Sequence, residues 1–346
     1  MFNFDEIMIK KCFELARHAG RDTFLNPLVG AVLCDFEGNI LSTGYHKKYG
    51  EAHAEVNCIN SYSGDFSKTI LYVSLEPCSH YGKTPPCADL IIEKGIPKVV
   101  VSTLDPNPIV SGRGIEKLKQ AGVEVKVGVL EDEGRALNKV FFKNILSGKP
   151  YVATKIATTL DGKIATLSGS SKWITGAQAR EYVRNIRSSF WGIMSASGTI
   201  LADNSNLTCA VPLTRIILDN SHKIPSDFNV FKENGSRIIY VSNSRRNLPS
   251  HIEQIEFENY EKLFLDLYEL KIPSVLVEAG AGLNSRLIKE GQIDYLYQFI
   301  ASKIAGKGIS YSDENNISDI NNSKKLKFLG SKFIGEDILL EAEFVV

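Results

Sequence analysis

Long hydrophobic runs are absent from this sequence. No stretch of its 346 residues approaches the roughly 20 consecutive apolar residues that a membrane-spanning helix needs. The first six residues, MFNFDE, are acidic and lack the basic start and apolar segment of a secretory signal. We therefore expect a cytoplasmic protein that has no membrane partner.

An excess of charge of either sign is also lacking. The 40 Lys and Arg residues balance the 40 Asp and Glu residues, so the formal net charge at pH 7 is +0. A protein that binds folded nucleic acid usually presents a basic face to the phosphates. The balance favours a small-molecule substrate over a nucleic-acid partner.

Cysteine is present without the regular spacing of a disulfide framework. The chain has six cysteines, which fit a reducing compartment. Four of them are expected to be buried or incidental thiols: Cys12, Cys34, Cys58 and Cys209.

The other two cysteines combine with a histidine and a glutamate into the most informative pattern of the chain. His53, Cys78 and Cys87 supply one imidazole and two thiols, and Glu55 lies two residues after the histidine. Three protein ligands leave the fourth position of tetrahedral zinc open for water, which is typical of a catalytic metal. Glu55 is then the proton carrier, as in the zinc nucleobase deaminases. The pattern predicts hydrolytic deamination of an aminated ring.

The alternative is a purely structural role, in which the histidine is buried and hydrogen-bonded in the core and the two thiols are buried without a metal. Against it, both ligand segments stand where a helix is expected to begin. Val56 and Ile59 follow Glu55 at helical spacing, and two prolines precede Cys87 and an apolar run. A helix N-terminus favours the thiolate form, which is the form that binds a metal.

The first 147 residues alternate between strand-like and helix-like segments, which predicts an α/β sheet with the site at the strand ends. Eight residues separate Cys78 from Cys87 and form a loop long enough to reach substrate. His80 and Lys83 in this loop are candidate phosphate ligands, unless the loop is only a solvated surface. Asn26 stands before a predicted strand, where its amide can bind ring or ribose atoms.

Several motifs of this half resemble one known family: NP at 26–27, HAEV at 53–56, LEPCSH at 75–80, KTPPC at 83–87 and DPNP at 105–108. The family is the bifunctional riboflavin-biosynthesis enzymes, in which a pyrimidine deaminase is fused to a reductase. The resemblance implies an α/β fold with a cytidine-deaminase-like three-layer domain. It implies zinc ligands at His53, Cys78 and Cys87, with Glu55 catalytic. It also implies deaminase substrate contacts at Asn26, His46, His80 and Lys83.

A domain boundary is predicted near residues 146–150, LSGKP, because Ser-Gly and Lys-Pro disfavour continued helix. We expect a deaminase domain at 1–147 and a second α/β domain at 150–346. In the second domain, a strand leads into glycines at 280 and 282 and then a predicted helix. Such a turn can approach a phosphate, but by itself it is equally well a mere turn. Trp173 can stack on a nicotinamide or belong to the core.

The second half also resembles the reductase part of the same family, through TTLDGK at 158–163, SKWIT at 171–175, SGTILAD at 197–203 and VEAG at 277–280. The resemblance implies a dihydrofolate-reductase-like domain that uses NADPH to reduce a ribosyl group to ribityl. The implied cofactor contacts are Trp173, Thr199, Asp203, Gly280, Ala281 and Gly282. The implied substrate contacts are Ser171, Arg187, Leu207 and Glu278. The implied substrate is a small phosphorylated pyrimidine, and a homo-oligomer is expected.

One departure from the family pattern concerns the substrate phosphate. Ala210 stands where the family has an arginine, and a methyl group cannot replace a guanidinium. Arg187 or Arg215 is then expected to hold the phosphate. Two other functions stay open: deamination of another nucleoside or of tRNA, and a second domain that binds a ligand without catalysis.

Overall fold

The chain divides into two compact units, Met1–Gly148 and Lys149–Val346. The computed structural model describes residues 3–79, 85–108, 111–312 and 317–345. Within these ranges, no helix is both long enough and apolar enough to cross a bilayer.

Unit 1 is built on a mixed sheet in the order β2-β1-β3-β4-β5. Strand β1 runs antiparallel to both β2 and β3, and β3, β4 and β5 are parallel. The described elements are α1 (Phe4–Arg17), β1 (Gly30–Asp35), β2 (Ile40–Tyr45), α2 (Ala54–Asn60), β3 (Thr69–Leu75), α3 (Cys87–Glu93), β4 (Lys98–Thr103), α4 (Arg113–Gln120), β5 (Glu124–Val127), α5 (Glu131–Leu137) and α6 (Lys139–Ser147).

The two faces of this sheet are covered by different helices, because alternate residues of a strand point to opposite sides. Val32 and Cys34 of β1 pack with apolar residues of α1 in one cluster. Ala31 and Leu33 pack with residues of α2, α3 and α4 in the other. The unit is therefore helix on sheet on helix, which confirms the predicted three-layer arrangement.

Close backbone packing fixes α2 against β2. A Cβ at Gly44 would lie 2.4 Å from the backbone nitrogen of Cys58, so glycine is needed there. This contact fixes the helix that His53 precedes and that carries Glu55.

Unit 2 contains a larger sheet in the order β11-β10-β9-β8-β12-β6-β13-β16-β15. The strands from β11 to β13 are parallel, and β16 and β15 complete the sheet in antiparallel pairing. The described elements are β6 (Tyr151–Thr159), β7 (Lys163–Thr166), α7 (Ala177–Arg187), β8 (Gly192–Ala196), α8 (Ser197–Asp203), β9 (Thr214–Leu218), β10 (Ile238–Ser242), β11 (Ile252–Glu256), α9 (Tyr260–Glu269), β12 (Ser274–Val277), α10 (Ala281–Lys289), β13 (Tyr295–Ala301), β14 (Gly308–Ser310), β15 (Leu326–Ile334) and β16 (Asp337–Phe344).

Apolar residues bury the parallel strands on both faces. Phe264 of α9 and Leu287 of α10 pack on one face with Val275. Ile200 of α8 packs on the other face with Ile217. In open parallel sheets, ligands bind beyond the carboxyl ends of the strands. The predicted reductase residues Thr199 and Glu278 follow β8 and β12 at those ends.

Candidate active sites

Three side chains of unit 1 form a potential metal centre. The ligand atoms of His53, Cys78 and Cys87 all lie within 4.8 Å of one another. His53 Nδ1 is 3.5 Å from Cys78 Sγ and 3.3 Å from Cys87 Sγ. One imidazole and two thiols suit zinc, and three protein ligands leave room for a fourth.

The local fold explains how distant residues meet at this centre. His53 precedes the first turn of α2 in an extended conformation, and Cys87 is the first residue of α3. Cys78 follows the end of β3, and its Sγ accepts a hydrogen bond from the Cys87 backbone N–H at 3.3 Å. The predicted helix starts at both ligand segments are confirmed.

Among the protein groups themselves, charge is shared unequally between the two thiols. A hydrogen bond with Cys87, together with His53, lowers the pKa of Cys78 to about 4 despite burial. The hydrogen bond with Cys78 and burial raise the pKa of Cys87. Hydrogen bonding with Cys78 raises the pKa of His53 to about 9. Cys78 is therefore a thiolate near neutral pH, which is the form that binds a metal.

Glu55 lies in the first turn of α2 and is only 3% exposed. Burial and the nearby Cys78 raise the pKa of its carboxyl to about 7. Glu55, His53 and Cys78 line one cavity of about 320 Å³. The carboxyl is therefore beside the metal ligands and in a space that can hold a small ring.

Two of the predicted substrate contacts lie in the same cavity and bind each other. Asn26 Nδ2 is 3.0 Å from His46 Nε2, and His46 Nδ1 is 3.1 Å from the carbonyl oxygen of Ala52. Because that carbonyl can only accept, Nδ1 carries the proton, and Nε2 accepts from the Asn26 amide. Burial lowers the pKa of His46, which favours this neutral form. Asn26 is thus oriented with its Oδ1 away from the bond.

The other two predicted contacts, His80 and Lys83, lie outside the described residues.

Sequence reasoning did not single out Glu76, which organises the cavity wall. Its buried carboxylate accepts backbone N–H groups of Asp105 at 3.2 Å, Gly112 at 2.9 Å, Gly114 at 2.9 Å and Ile115 at 3.4 Å. It therefore ties the end of β3 to the loop before α4 and to the first turn of α4. The available signal was an acidic residue directly after a buried strand.

Asn138 is a second positioning residue that the sequence did not reveal. It is 2% exposed, its Oδ1 accepts from Leu28 N at 2.7 Å, and its Nδ2 donates to Leu28 O at 2.9 Å. These paired bonds fix the segment that carries Asn26.

In unit 2, the predicted substrate contacts Arg187 and Glu278 form a bidentate ion pair. Arg187 Nε donates to Glu278 Oε1 at 2.5 Å, and Nη2 donates to Oε2 at 2.9 Å. Arg187 Nη1 donates to the Thr208 carbonyl at 2.9 Å, and Lys155 Nζ lies 3.5 Å from Glu278 Oε2. Burial by itself would raise the pKa of Glu278, but Lys155 and Arg187 lower it to about 2.

Leu207 lines a cleft of about 490 Å³ together with Arg187. Its backbone has φ +49°, a left-handed conformation that costs a residue with a Cβ roughly 1–2 kcal/mol. Such a cost in a cleft is typical of functional positions.

The predicted cofactor contacts fall into two groups. In the first group, Trp173 lines a cavity of about 130 Å³ together with the predicted substrate contact Ser171, and Lys172 between them forms an ion pair with Asp203 at 3.2 Å. Trp173 is 62% exposed, and the guanidinium of Arg180 lies 4.4 Å from its ring centroid. The alternative of a core tryptophan is therefore wrong.

The second group is at the start of α10. Thr199 Oγ1 accepts from the Gly280 backbone N–H at 2.9 Å, which joins the segment after β8 to the glycine turn after β12. Ala281 and Gly282 begin the helix. The turn thus lies at the carboxyl end of the sheet, where a phosphate can be bound.

Arg215 does not reach this region. It is fully buried, and it donates to the carbonyls of Val230 at 2.7 Å and Lys232 at 2.8 Å and to Asn234 Oδ1 at 2.9 Å. The expectation that Arg215 holds the phosphate is wrong, because its guanidinium is already bonded to two backbone carbonyls and to Asn234 inside the unit.

The fold and site of unit 1 define a deaminase domain of the zinc-binding class. Residues 3–103 match the family model described as "Cytidine and deoxycytidylate deaminase zinc-binding region". Residues 150–340 match the model described as "RibD C-terminal domain". The zinc prediction is confirmed by this match together with the His–Cys cluster.

Whole-chain comparisons identify the family. The chain is 38% identical to riboflavin biosynthesis protein RibD of Aquifex aeolicus, over 97% of each chain. It is 39% identical to RibD of Actinobacillus pleuropneumoniae, over 96% of this chain and 93% of the relative. A diaminohydroxyphosphoribosylaminopyrimidine deaminase/5-amino-6-(5-phosphoribosylamino)uracil reductase of Thermotoga maritima superposes with a TM-score of 0.89, at 38% identity and 99% coverage of both chains. This chain belongs to the RibD family of riboflavin biosynthesis, in which a deaminase domain is joined to a reductase domain.

Proposed function

We propose that the chain catalyses two successive steps of riboflavin biosynthesis. The first is hydrolytic deamination of a diaminopyrimidinone that carries a phosphoribosylamino group. The second is reduction of the ribosyl group of the product to ribityl. Residues 1–147 carry the first step and residues 150–346 the second.

His53, Cys78 and Cys87 would hold zinc, which when bound would supply the Lewis acidity that makes water nucleophilic near neutral pH. Glu55 takes the proton from the attacking water and delivers it to the departing amine. Asn26 directs its Oδ1 to the substrate, and His46 acts as a positioning residue for that amide. The observation that supports this proposal is that Glu55 lines one cavity with His53 and Cys78, two of the three clustered ligands.

In the second domain, the hydride would be supplied by bound NADPH. Trp173, Thr199, Asp203 and the turn Gly280, Ala281 and Gly282 bind the cofactor. Ser171, Arg187, Leu207 and Glu278 bind the substrate. The Arg187–Glu278 pair gives the cleft a fixed donor and acceptor array.

Metal binding and turnover can be separated by mutation. Cys87→Ser should lose zinc and ammonia release together, because a hydroxyl is a poor zinc ligand. Glu55→Gln should retain stoichiometric zinc and lose ammonia release, because the amide cannot carry the proton. Zinc is measured by elemental analysis of the purified chain. An active, zinc-free Cys87→Ser variant would contradict the assignment.

The rival in which unit 2 only binds a ligand is tested by NADPH absorbance. Adding the deaminated substrate should oxidise NADPH in proportion to substrate. Absence of oxidation under conditions where deamination proceeds would favour the rival. Cytidine and a tRNA serve as test substrates for the other deaminase classes.

We further propose a cytoplasmic homo-oligomer. The support is β15, a strand at the edge of the unit 2 sheet with Phe328 69% exposed and Phe333 76% exposed. A second copy covering this strand would remove those rings from water. Phe333→Lys should reduce the molar mass measured by light scattering, and an unchanged mass would contradict this interface.

A further inference from the structure

A cationic side chain in the reductase cleft would favour a phosphorylated substrate. Two arginines line the cleft of about 490 Å³, Arg184 and Arg187, together with Leu207, Thr208 and Ala210. Their different pairing states decide which of them is available for a phosphate.

Arg187 is already neutralised. Its guanidinium Nε and Nη2 donate to the Glu278 carboxylate, and its Nη1 donates to the Thr208 carbonyl. The pair is largely buried, with side-chain exposures of 20% for Arg187 and 10% for Glu278. Moving Arg187 onto a phosphate would leave the Glu278 carboxylate buried with Lys155 alone, which is costly.

Arg184 is in the opposite condition. It lies on α7 three residues before Arg187, so both project from the same side of the helix. Its side chain is exposed, and within the described ranges it has no ion-pair or hydrogen-bond partner. Glu181 also lines the cleft but forms no ion pair with Arg184 there.

We propose that Arg184 holds the phosphate of the substrate in the reductase cleft, while Arg187 orients Glu278 and the ribosyl end. This inference rests on the proposed reduction of a phosphorylated substrate. Ala210 and Arg184 line the same cleft, so α7 supplies a guanidinium to the cleft in which position 210 has only a methyl group. A planar guanidinium suits this task because it binds two phosphate oxygens at once.

The test compares Arg184→Gln with the wild type in steady-state NADPH oxidation. Losing one charge-assisted contact should raise KM by about 10- to 100-fold. The kcat should change little, because the phosphate is remote from the reduced carbon. With substrate that lacks the phosphate, Arg184→Gln and the wild type should have the same KM. Lys289→Gln is the matched control, since it removes an exposed charge at the far end of α10 and should leave KM unchanged.

A rescue separates a phosphate contact from a structural role. Adding Ala210→Arg to Arg184→Gln returns a guanidinium to the cleft from its other wall. The double variant should therefore have a KM close to that of the wild type. Calorimetric binding of the deaminated substrate without NADPH reports the same contact independently of turnover.

The outcomes distinguish the two proposals. Absence of NADPH oxidation by the wild type would count against the proposed reaction, while binding would still report on Arg184. Equal binding and equal KM in Arg184→Gln and the wild type would overturn the inference. The inference would also be overturned if the increase in KM were as large for the substrate without phosphate. It would equally be overturned if Ala210→Arg did not reduce the KM of Arg184→Gln.

Discussion

Replacing Glu278 by glutamine should destabilise unit 2 by an amount that depends on pH. The change keeps the shape of the side chain and removes its charge, so it resembles permanent protonation. Arg187 and Lys155 lower the pKa of this carboxyl from 4.5 to about 2. At about 1.4 kcal/mol per pKa unit, the charge contributes roughly 3 kcal/mol to folding.

The sign of the pH dependence follows from the lowered pKa. A carboxyl with a lower pKa in the folded state contributes its full stability above its unfolded value, near pH 4.5. That contribution is lost as the pH falls towards about 2. The difference between wild type and Glu278→Gln should therefore be constant near neutral pH and shrink steadily below about pH 4.5.

Tryptophan fluorescence during urea unfolding measures the effect in the right unit. The chain has 2 tryptophans, Trp173 and Trp191, and both lie in unit 2. Glu253→Gln is the matched control, because Glu253 also pairs with an arginine through two bonds but is 48% exposed. Exposed pairs contribute about 1 kcal/mol or less. Equal losses in the two variants, or a Glu278→Gln loss that persists unchanged to about pH 3, would refute this reasoning.

Three further predictions concern unit 1. Glu76→Gln should weaken protection of the backbone from 105 to 115 in hydrogen exchange, because an amide group cannot accept all four N–H bonds; unchanged exchange would contradict it. Gly114→Ala should weaken zinc retention in a chelator competition, because its Cβ would lie 2.1 Å from the Pro77 carbonyl beside a metal ligand; wild-type retention would count against that contact. Lys83→Ala should raise the KM of deamination more than it lowers kcat, since a phosphate contact contributes uniform binding; equal KM values would exclude the role.

The metal site could be read from the sequence because each ligand carries a local signal. His53 and Cys87 stand at helix starts that apolar spacing indicates, with two prolines before Cys87 as a further signal, and the structure confirms both. The buried parallel strands were predictable for a similar reason, since β10 and β12 are continuous apolar runs. A helix start or a buried strand can be predicted from sequence when the few residues that form it also carry its characteristic pattern.

Elements without a continuous apolar signal were not predicted. Strand β2 contains Ser42, Thr43 and Gly44, which interrupt its pattern, and most of β15 is exposed. These strands form because their neighbours in the sheet supply the hydrogen bonds, which the sequence does not record.

Contacts between residues that are far apart in the sequence could not be predicted either. Arg187 and Glu278 were both expected at the substrate, but 91 residues separate them, and only the fold shows that each neutralises the other. Arg215 looked equally available in the sequence, yet the fold buries it among backbone carbonyls. Residue type indicates which chemistry is possible, whereas tertiary contacts decide which arginine is free to perform it.

Zinc bound by the three proposed ligands His53, Cys78 and Cys87 would also cross-link the domain. These residues come from separate segments, since His53 and Cys78 are 25 positions apart and Cys78 and Cys87 are 9 positions apart. A bond that joins such points closes two chain loops and reduces the freedom of the unfolded chain. Since only the folded domain assembles the three ligands, metal affinity contributes to folding free energy. A shortage of zinc should therefore lower the amount of folded deaminase domain as well as its turnover.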